Sequence, residues 1–137
     1  MSPYCRFNPL STLKSLELLD LGRMLNLSDL HPLRPLIRLQ SLLLDKSDLI
    51  SDTSPLAHLH SLTVLDLSQC KRITQLDFLS STHRLMDLRL DACALITNIS
   101  PIRSCHKLKR ISMLHCPRIT DLSPLSSCQA LIKISVS

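Results

Sequence analysis

Residues 108–127 read LKRISMLHCPRITDLSPLSS, and stepping back from them in units of 23 residues recovers the same spelling through most of the chain. Leu62, Leu85, Leu108 and Leu131 are each 23 apart, as are Cys70, Cys93 and Cys116, and again Ile73, Ile96 and Ile119. A unit this short cannot bury its own apolar face. An interval kept without insertion therefore predicts copies stacked one on the next, as a solenoid.

Working outward, the same columns divide the chain into one domain, 1–137: a partial repeat 1–15, full repeats 16–38, 39–61, 62–84, 85–107 and 108–130, and a partial repeat 131–137. End repeats of a solenoid normally carry a polar outer face. Neither end is spelled that way, so the expectation is a piece of a longer array, or an end-to-end assembly that covers the open coils.

Within a repeat, Leu62-Thr-Val-Leu65-Asp-Leu67 alternates. Residues 62, 65 and 67 face one way and 64 and 66 the other, the pattern of a short strand with one buried face. The columns Leu19, Leu42, Leu65, Leu88, Ile111, Ile134 and Leu21, Leu44, Leu67, Leu90, Met113, Val136 then predict six such strands side by side in a parallel sheet. The returning part is apolar every third residue, as in Ile119, Leu122, Leu125 and Cys128, which suits tight turns and 3₁₀ pieces better than α-helix. Pro9, Pro32, Pro55, Pro101 and Pro124 share a column that only Phe78 interrupts. The residue before each (Asn8, His31, Ser54, Ser100, Ser123) is expected to cap a helical turn that proline begins. The predicted fold class is an α/β solenoid: a right-handed coil with a parallel sheet of short strands and a convex side of turns and 3₁₀ pieces.

The pattern LxxLxLxxCxxIT-x-L-x-x-L, whole in residues 62–79 and 108–125, resembles leucine-rich repeats of the cysteine type. The wording ITDLSPLSS at 119–127 is similar to the repeats of trypanosomatid leucine-rich-repeat proteins labelled adenylate cyclase regulators. It is similar more loosely to bacterial internalins and to the regulatory subunit of protein phosphatase one. Met24 and Ser47 depart from the pattern, standing where cysteine is expected. The resemblance implies a repeat coil that binds another protein. Some members carry a zinc-binding RING domain, for which the cysteine and histidine spacing is missing here.

Composition narrows the function classes. Aromatic residues make up 2% of the chain and tryptophan is absent, so the core is aliphatic and a pocket walled by aromatic rings is not expected. No apolar run reaches the roughly 20 residues of a membrane span, and MSPYCRFNPL lacks the charged-then-apolar order of a secretory signal. An intracellular protein, cytoplasmic or nuclear, with reduced thiols is the expectation. Cys70, Cys93 and Cys116 follow the strands, and Cys105 and Cys128 share a column with Leu36, Leu59 and Thr82. Both columns read as packing positions in which a thiol serves as a small apolar group and weak donor. A straight column of thiols does not converge tetrahedrally on zinc. Cys5 is unplaced by the repeat and would be the reactive one. His60, His83 and His106 form a further ladder, whose spacing would allow a transition metal but whose ordinary reading is a polar turn column. No cofactor and no metal is expected.

Function is left to residues that the repeat does not fix. On the strand face turned from the core, and just past the strands, these are Leu18, Asp20, Leu43, Asp45, Val64, Asp66, Asp87, Arg89, Asp91, Arg110, Ser112, Leu114, His115 and Lys133. They run from acidic and apolar to basic along the stack. Residues 1–69 hold seven acidic and six basic side chains, residues 70–137 four and ten. A mixed face of this kind suits a protein partner on the concave side, with Leu18, Leu43, Val64 and Leu114 as apolar anchors. The expected role is a non-enzymatic adaptor or regulatory scaffold. Two alternatives stand beside it: a substrate-recognition subunit of a ubiquitin ligase, and a nucleic-acid-associated protein using Lys107, Lys109, Arg110, Arg118 and Lys133, which lack an aromatic platform. Catalysis is not expected. The single glycine, Gly22, excludes a phosphate loop, and Asp66 and Asp87 read as ion-paired with Arg89 and Arg110.

Overall fold

The computed structural model describes residues 7–137. The start of the first partial repeat, with Cys5, lies outside the described residues. Six strands form one sheet: β1 Leu18–Asp20, β2 Ser41–Leu43, β3 Val64–Asp66, β4 Asp87–Arg89, β5 Arg110–Met113 and β6 Lys133–Val136. They are hydrogen-bonded in chain order and all pairs are parallel. Leu19, Leu42, Leu65, Leu88, Ile111 and Ile134 are successive partners in the register, so the repeat interval of the sequence is also the interval of the sheet.

Between strands the chain returns through 3₁₀ turns at Asn8–Thr12, His31–Leu33, Ser54–His58, Asp77–Ser80, Ser100–Ser104 and Ser123–Ser127. Proline opens five of the six turns, where its missing N–H leaves no partner unsatisfied. The capping expectation needs correction. The residues before the prolines lie inside the turns, and no side chain at the residue preceding each turn caps it. The cap comes from two positions before the turn's first residue. Asp29, Asp52, Asn98 and Asp121 each accept, at 2.9 Å, the backbone N–H of His31, Ser54, Ser100 and Ser123. A side-chain oxygen reaching two residues ahead closes its own turn, which serine held within the turn cannot do.

The core runs as a column between sheet and turns. Leu42, Leu65 and Leu88 from the strands, Leu56, Leu79 and Ile102 from the turns, and Leu62, Leu85 and Leu108 from the links are all 0% exposed. Ile134 and Val136 of β6, in contrast, are 48% and 46% exposed where their counterparts Ile111 and Met113 are 2%. Each central coil has a neighbour on both sides, and β6 has β5 alone.

One backbone feature repeats in every coil. Arg23, Lys46, Gln69, Ala92 and His115 all have φ between 57° and 63° without being glycine. This left-handed conformation costs an L-residue about 1–2 kcal/mol. It turns each N–H toward the next coil, where Arg23, Lys46, Gln69 and Ala92 donate to the carbonyls of Asp45, Ser68, Asp91 and Leu114 at 2.7–2.8 Å. His115 donates to Ser137 Oγ at 2.8 Å.

Candidate protein-binding face

The register gathers the residues that the repeat leaves free into two rows on the outer face of the sheet. Leu18, Ser41, Val64, Asp87, Arg110 and Lys133 are successive partners in one row, and Asp20, Leu43, Asp66, Arg89, Ser112 and Ser135 in the other. Leu18 is 70% exposed, Leu43, Val64 and Leu114 are half-buried, and Arg89, Arg110, His115 and Lys133 are exposed. The strand residues of the sequence-derived site thus share one surface. Asp45, Asp91, Leu114 and His115 follow immediately after the strands.

Several of the carboxylates work within the protein. Asp91 Oδ1 accepts from Ser112 Oγ at 2.5 Å and from the Leu114 N–H at 2.8 Å, tying the end of β4 to β5. Asp66 Oδ1 accepts the Ser68 N–H at 2.8 Å and Asp20 Oδ1 the Gly22 N–H at 2.9 Å. Arg89 Nε lies 3.7 Å from Asp87 Oδ1. The expected pairing of Arg110 is corrected: among the described residues neither Arg110 nor Lys133 has a carboxylate within ion-pair distance. Their side chains, with Arg89, Asp87, Ser112 and Ser135, surround a hollow of about 270 Å³ over β4, β5 and β6. Ser135, the register partner of Ser112 in the outer column that alternation predicts, also lines this hollow, although it is not among the candidate residues.

At the opposite end of the face stands Gly22. A methyl group added there would stand 2.5 Å from Asp45 Oδ1 and 3.1 Å from Asp20 Oδ1, so its bare backbone is what lets the two carboxylates converge. Among the described residues neither Asp20 nor Asp45 is paired with a cation.

The cysteines among the described residues lie elsewhere, inside the coil. Cys70, Cys93 and Cys116 donate to the carbonyls of Leu44, Leu67 and Leu90 at 3.0–3.2 Å, forming a thiol ladder under the ends of the strands. Cys128 reaches Ile102 O at 3.3 Å and Cys105 reaches Leu79 O at 3.6 Å in a second ladder below the 3₁₀ turns. All five are free thiols and buried. Burial pushes the Cys70 thiol up to about 11 and those of Cys93 and Cys105 up to about 12, and raises Cys116 and Cys128 in the same direction. Such thiols stay protonated and are poor nucleophiles and poor metal ligands.

His60 and His83 each bring Nδ1 to a carbonyl of the following coil, Ser81 O at 3.3 Å and Ser104 O at 3.4 Å. Among the described residues no group of three or more His, Cys, Asp or Glu side chains is placed to hold a metal ion. A second hollow, of about 350 Å³, opens beside Asp52, Thr53, Gln75, Asp77 and Phe78. It lies on the turn side of the coil, away from the strand face, at the coil where Gln75 and Phe78 replace the capping Asp/Asn and the proline.

The sequence matches no family model and no curated protein. Solved structures match closely in shape. An internalin C2 from Listeria monocytogenes superimposes with a TM-score of 0.90 at 30% identity, covering 98% of this chain and 57% of its own. The fold is a leucine-rich-repeat solenoid. An internalin (inlF) from the same organism matches this leucine-rich-repeat coil with a TM-score of 0.70 at 24% identity, over 96% of this chain and 44% of its own. The Leptospira interrogans leucine-rich-repeat protein LIC12759 matches with a TM-score of 0.68 at 18% identity, over 95% and 39%. The leucine-rich-repeat chain described here thus spans little more than half the length of the internalin C2, and less of the others. No helix among the described residues is long and apolar enough to cross a membrane.

Proposed function

We propose that this chain is a non-enzymatic protein-interaction module, an adaptor or regulatory scaffold, that holds its partner against the strand face. The observation that carries this reading is the sorting of residues. The apolar side chains that recur from coil to coil form the buried core, whereas the two outer rows of the sheet change from strand to strand and present exposed and half-buried side chains. A rigid sheet that presents Leu18, Leu43 and Val64 among charges of both signs suits a protein surface better than a small ligand. The leucine-rich-repeat neighbours, built on the same scaffold, support an interaction role.

Within the same proposal, five buried, protonated thiols fit a reducing compartment, which supports an intracellular place of action. The likeness of ITDLSPLSS to trypanosomatid repeats adds the expectation of a signalling enzyme among the partners. The open side of β6, with Ile134 and Val136 half exposed, supports an assembly in which further coils or a second chain pack against it.

Affinity capture from the native cell tests the strand-face reading. Arg89→Glu/Arg110→Glu is compared with Arg34→Glu/Arg103→Glu, which reverses two exposed charges on the turn side. The strand-face pair loses proteins that the turn-side pair retains. If both baits recover the same set, the strand face is not the binding surface.

A further inference from the structure

Among the described residues Asp20, Asp45 and Asp66, toward the β1 side of the strand face, have no ion-pair partner, and neither do Arg110 and Lys133 on the β5–β6 side. At one pole Asp20 and Asp45 converge over the bare backbone of Gly22. Arg23 and Lys46 occupy the adjacent left-handed turns, yet pair with neither carboxylate. At the other pole Arg110 and Lys133, direct partners across β5 and β6, border a hollow of about 270 Å³. The acids nearest to them are already engaged, Asp87 by Arg89 at 3.7 Å and Asp91 by Ser112 and the Leu114 N–H. Half-buried Val64 on β3 lies between the poles, and half-buried Leu43, the register partner of Asp20, borders the acidic one.

We infer that this face receives an extended peptide segment of opposite polarity, with cationic side chains over Asp20 and Asp45, apolar ones over Leu43 and Val64, and carboxylates over Arg110 and Lys133. The inference rests on the strand-face reading above and names the chemistry of the partner. Four strand spacings separate the poles, about 19 Å at ~4.8 Å per strand, which an extended segment crosses in about six residues at ~3.3 Å each. Unpaired surface charges select a complementary partner more than they tighten it. A polymer of uniform charge fits only half of this face. Nucleic acid would gain at β5 and β6 and be repelled over β1 and β2, which is why a peptide is favoured.

The probe is a fluorescein-labelled octapeptide with two lysines at one end, two glutamates at the other and four apolar residues between, followed by fluorescence anisotropy at low salt. A peptide of identical composition with alternating charges is the control. The polarised peptide binds about tenfold more tightly than the control, and reversing either pole, by Arg110→Glu/Lys133→Glu or by Asp20→Lys/Asp45→Lys, removes about that factor. Reversing both poles together restores wild-type affinity, because the peptide then docks turned end for end. Far-ultraviolet circular dichroism and the unfolding midpoint hold each variant to the folded state. Equal binding of the two peptides, or a four-residue variant as weak as the single-pole variants, overturns the inference. If the peptides do not discriminate while Arg89→Glu/Arg110→Glu still loses captured proteins, the polarity falls and the interaction module stands.

Discussion

Cys116 donates its thiol hydrogen to the carbonyl of Leu90, 3.0 Å away and 26 residues earlier, so that each ladder thiol ties its coil to the one before. Cys93 and Cys70 repeat the contact with Leu67 and Leu44. The ladder stops at Ser47, which is 0% exposed and whose hydroxyl finds no partner. The C–O bond is shorter than the C–S bond, and the oxygen falls short of the carbonyl that sulfur would reach.

Ser47→Cys therefore stabilises the protein. Removing an unsatisfied buried hydroxyl is worth about 1–3 kcal/mol, and the new thiol is placed to extend the ladder to Leu21. The reverse change, Cys93→Ser, destabilises by a similar amount. Chemical denaturation of both variants checks this; a lower midpoint for Ser47→Cys would contradict it.

The ladder thiols are inert while the protein is folded. Ellman's reagent at pH 8 leaves Cys70, Cys93, Cys105, Cys116 and Cys128 unmodified until denaturant is added. Their folded values lie above the ordinary 9.0, with Cys70 near 11 and Cys93 and Cys105 near 12. Unfolded thiols ionise first as pH rises. Stability is therefore fully present below about pH 9 and is lost as pH climbs through the folded values. A midpoint unchanged between pH 8 and pH 10.5 would refute the linkage.

Gln69→Gly and Ala92→Gly are expected to stabilise. Relief of the left-handed conformation recovers about 1–2 kcal/mol, while glycine gives back about 0.5–1 kcal/mol in chain entropy. The net gain of about 0.5–1 kcal/mol is read from denaturant midpoints. Ala92→Val, whose branched side chain is forced further into the same clash, has the opposite sign.

The caps of the 3₁₀ turns respond to acid. The Ser54 hydroxyl and backbone N–H hold the Asp52 carboxyl below its usual value, and the backbone N–H of His31 and of Ser123 act in the same direction on Asp29 and Asp121. A depressed folded value contributes stability above the unfolded 3.8 that is lost as pH falls through the folded values. Asn98 makes the same hydrogen bond without a titrating group. Asp52→Asn/Asp121→Asn therefore flattens the fall in midpoint between pH 5 and pH 2, and a fall as steep as the wild type's would count against the assignment.

Much of this architecture is legible in the spelling because the buried columns obey one rule, that whatever lies inside a coil must lie inside the next. Leu42, Leu65 and Leu88 are paired partners in the sheet because they are paired in the repeat. The left-handed column escaped because its occupants, Arg23, Lys46, Gln69, Ala92 and His115, share no chemistry; only the absence of β-branched residues hints at it. The caps escaped because proline drew attention to its immediate neighbour, while the functioning oxygen stands further back, on Asp52 or Asn98. The strand-face rows follow directly from alternation. Which of their charges are already engaged, Asp87 but not Arg110, depends on side-chain reach that no spacing encodes.

The left-handed turns also bear on how fast the chain folds. A coil standing alone bears the cost of its Lys46 or Gln69 turn, whereas the hydrogen bond that offsets it comes from the coil that follows. The smallest kinetically viable nucleus is thus two adjacent coils, and growth proceeds one coil at a time from whichever pair forms first. Refolding rates should be most sensitive to substitutions around Lys46, Gln69, Ala92 and His115, whose strands have neighbours on both sides, while changes near Arg23, beside the edge strand β1, act chiefly on unfolding.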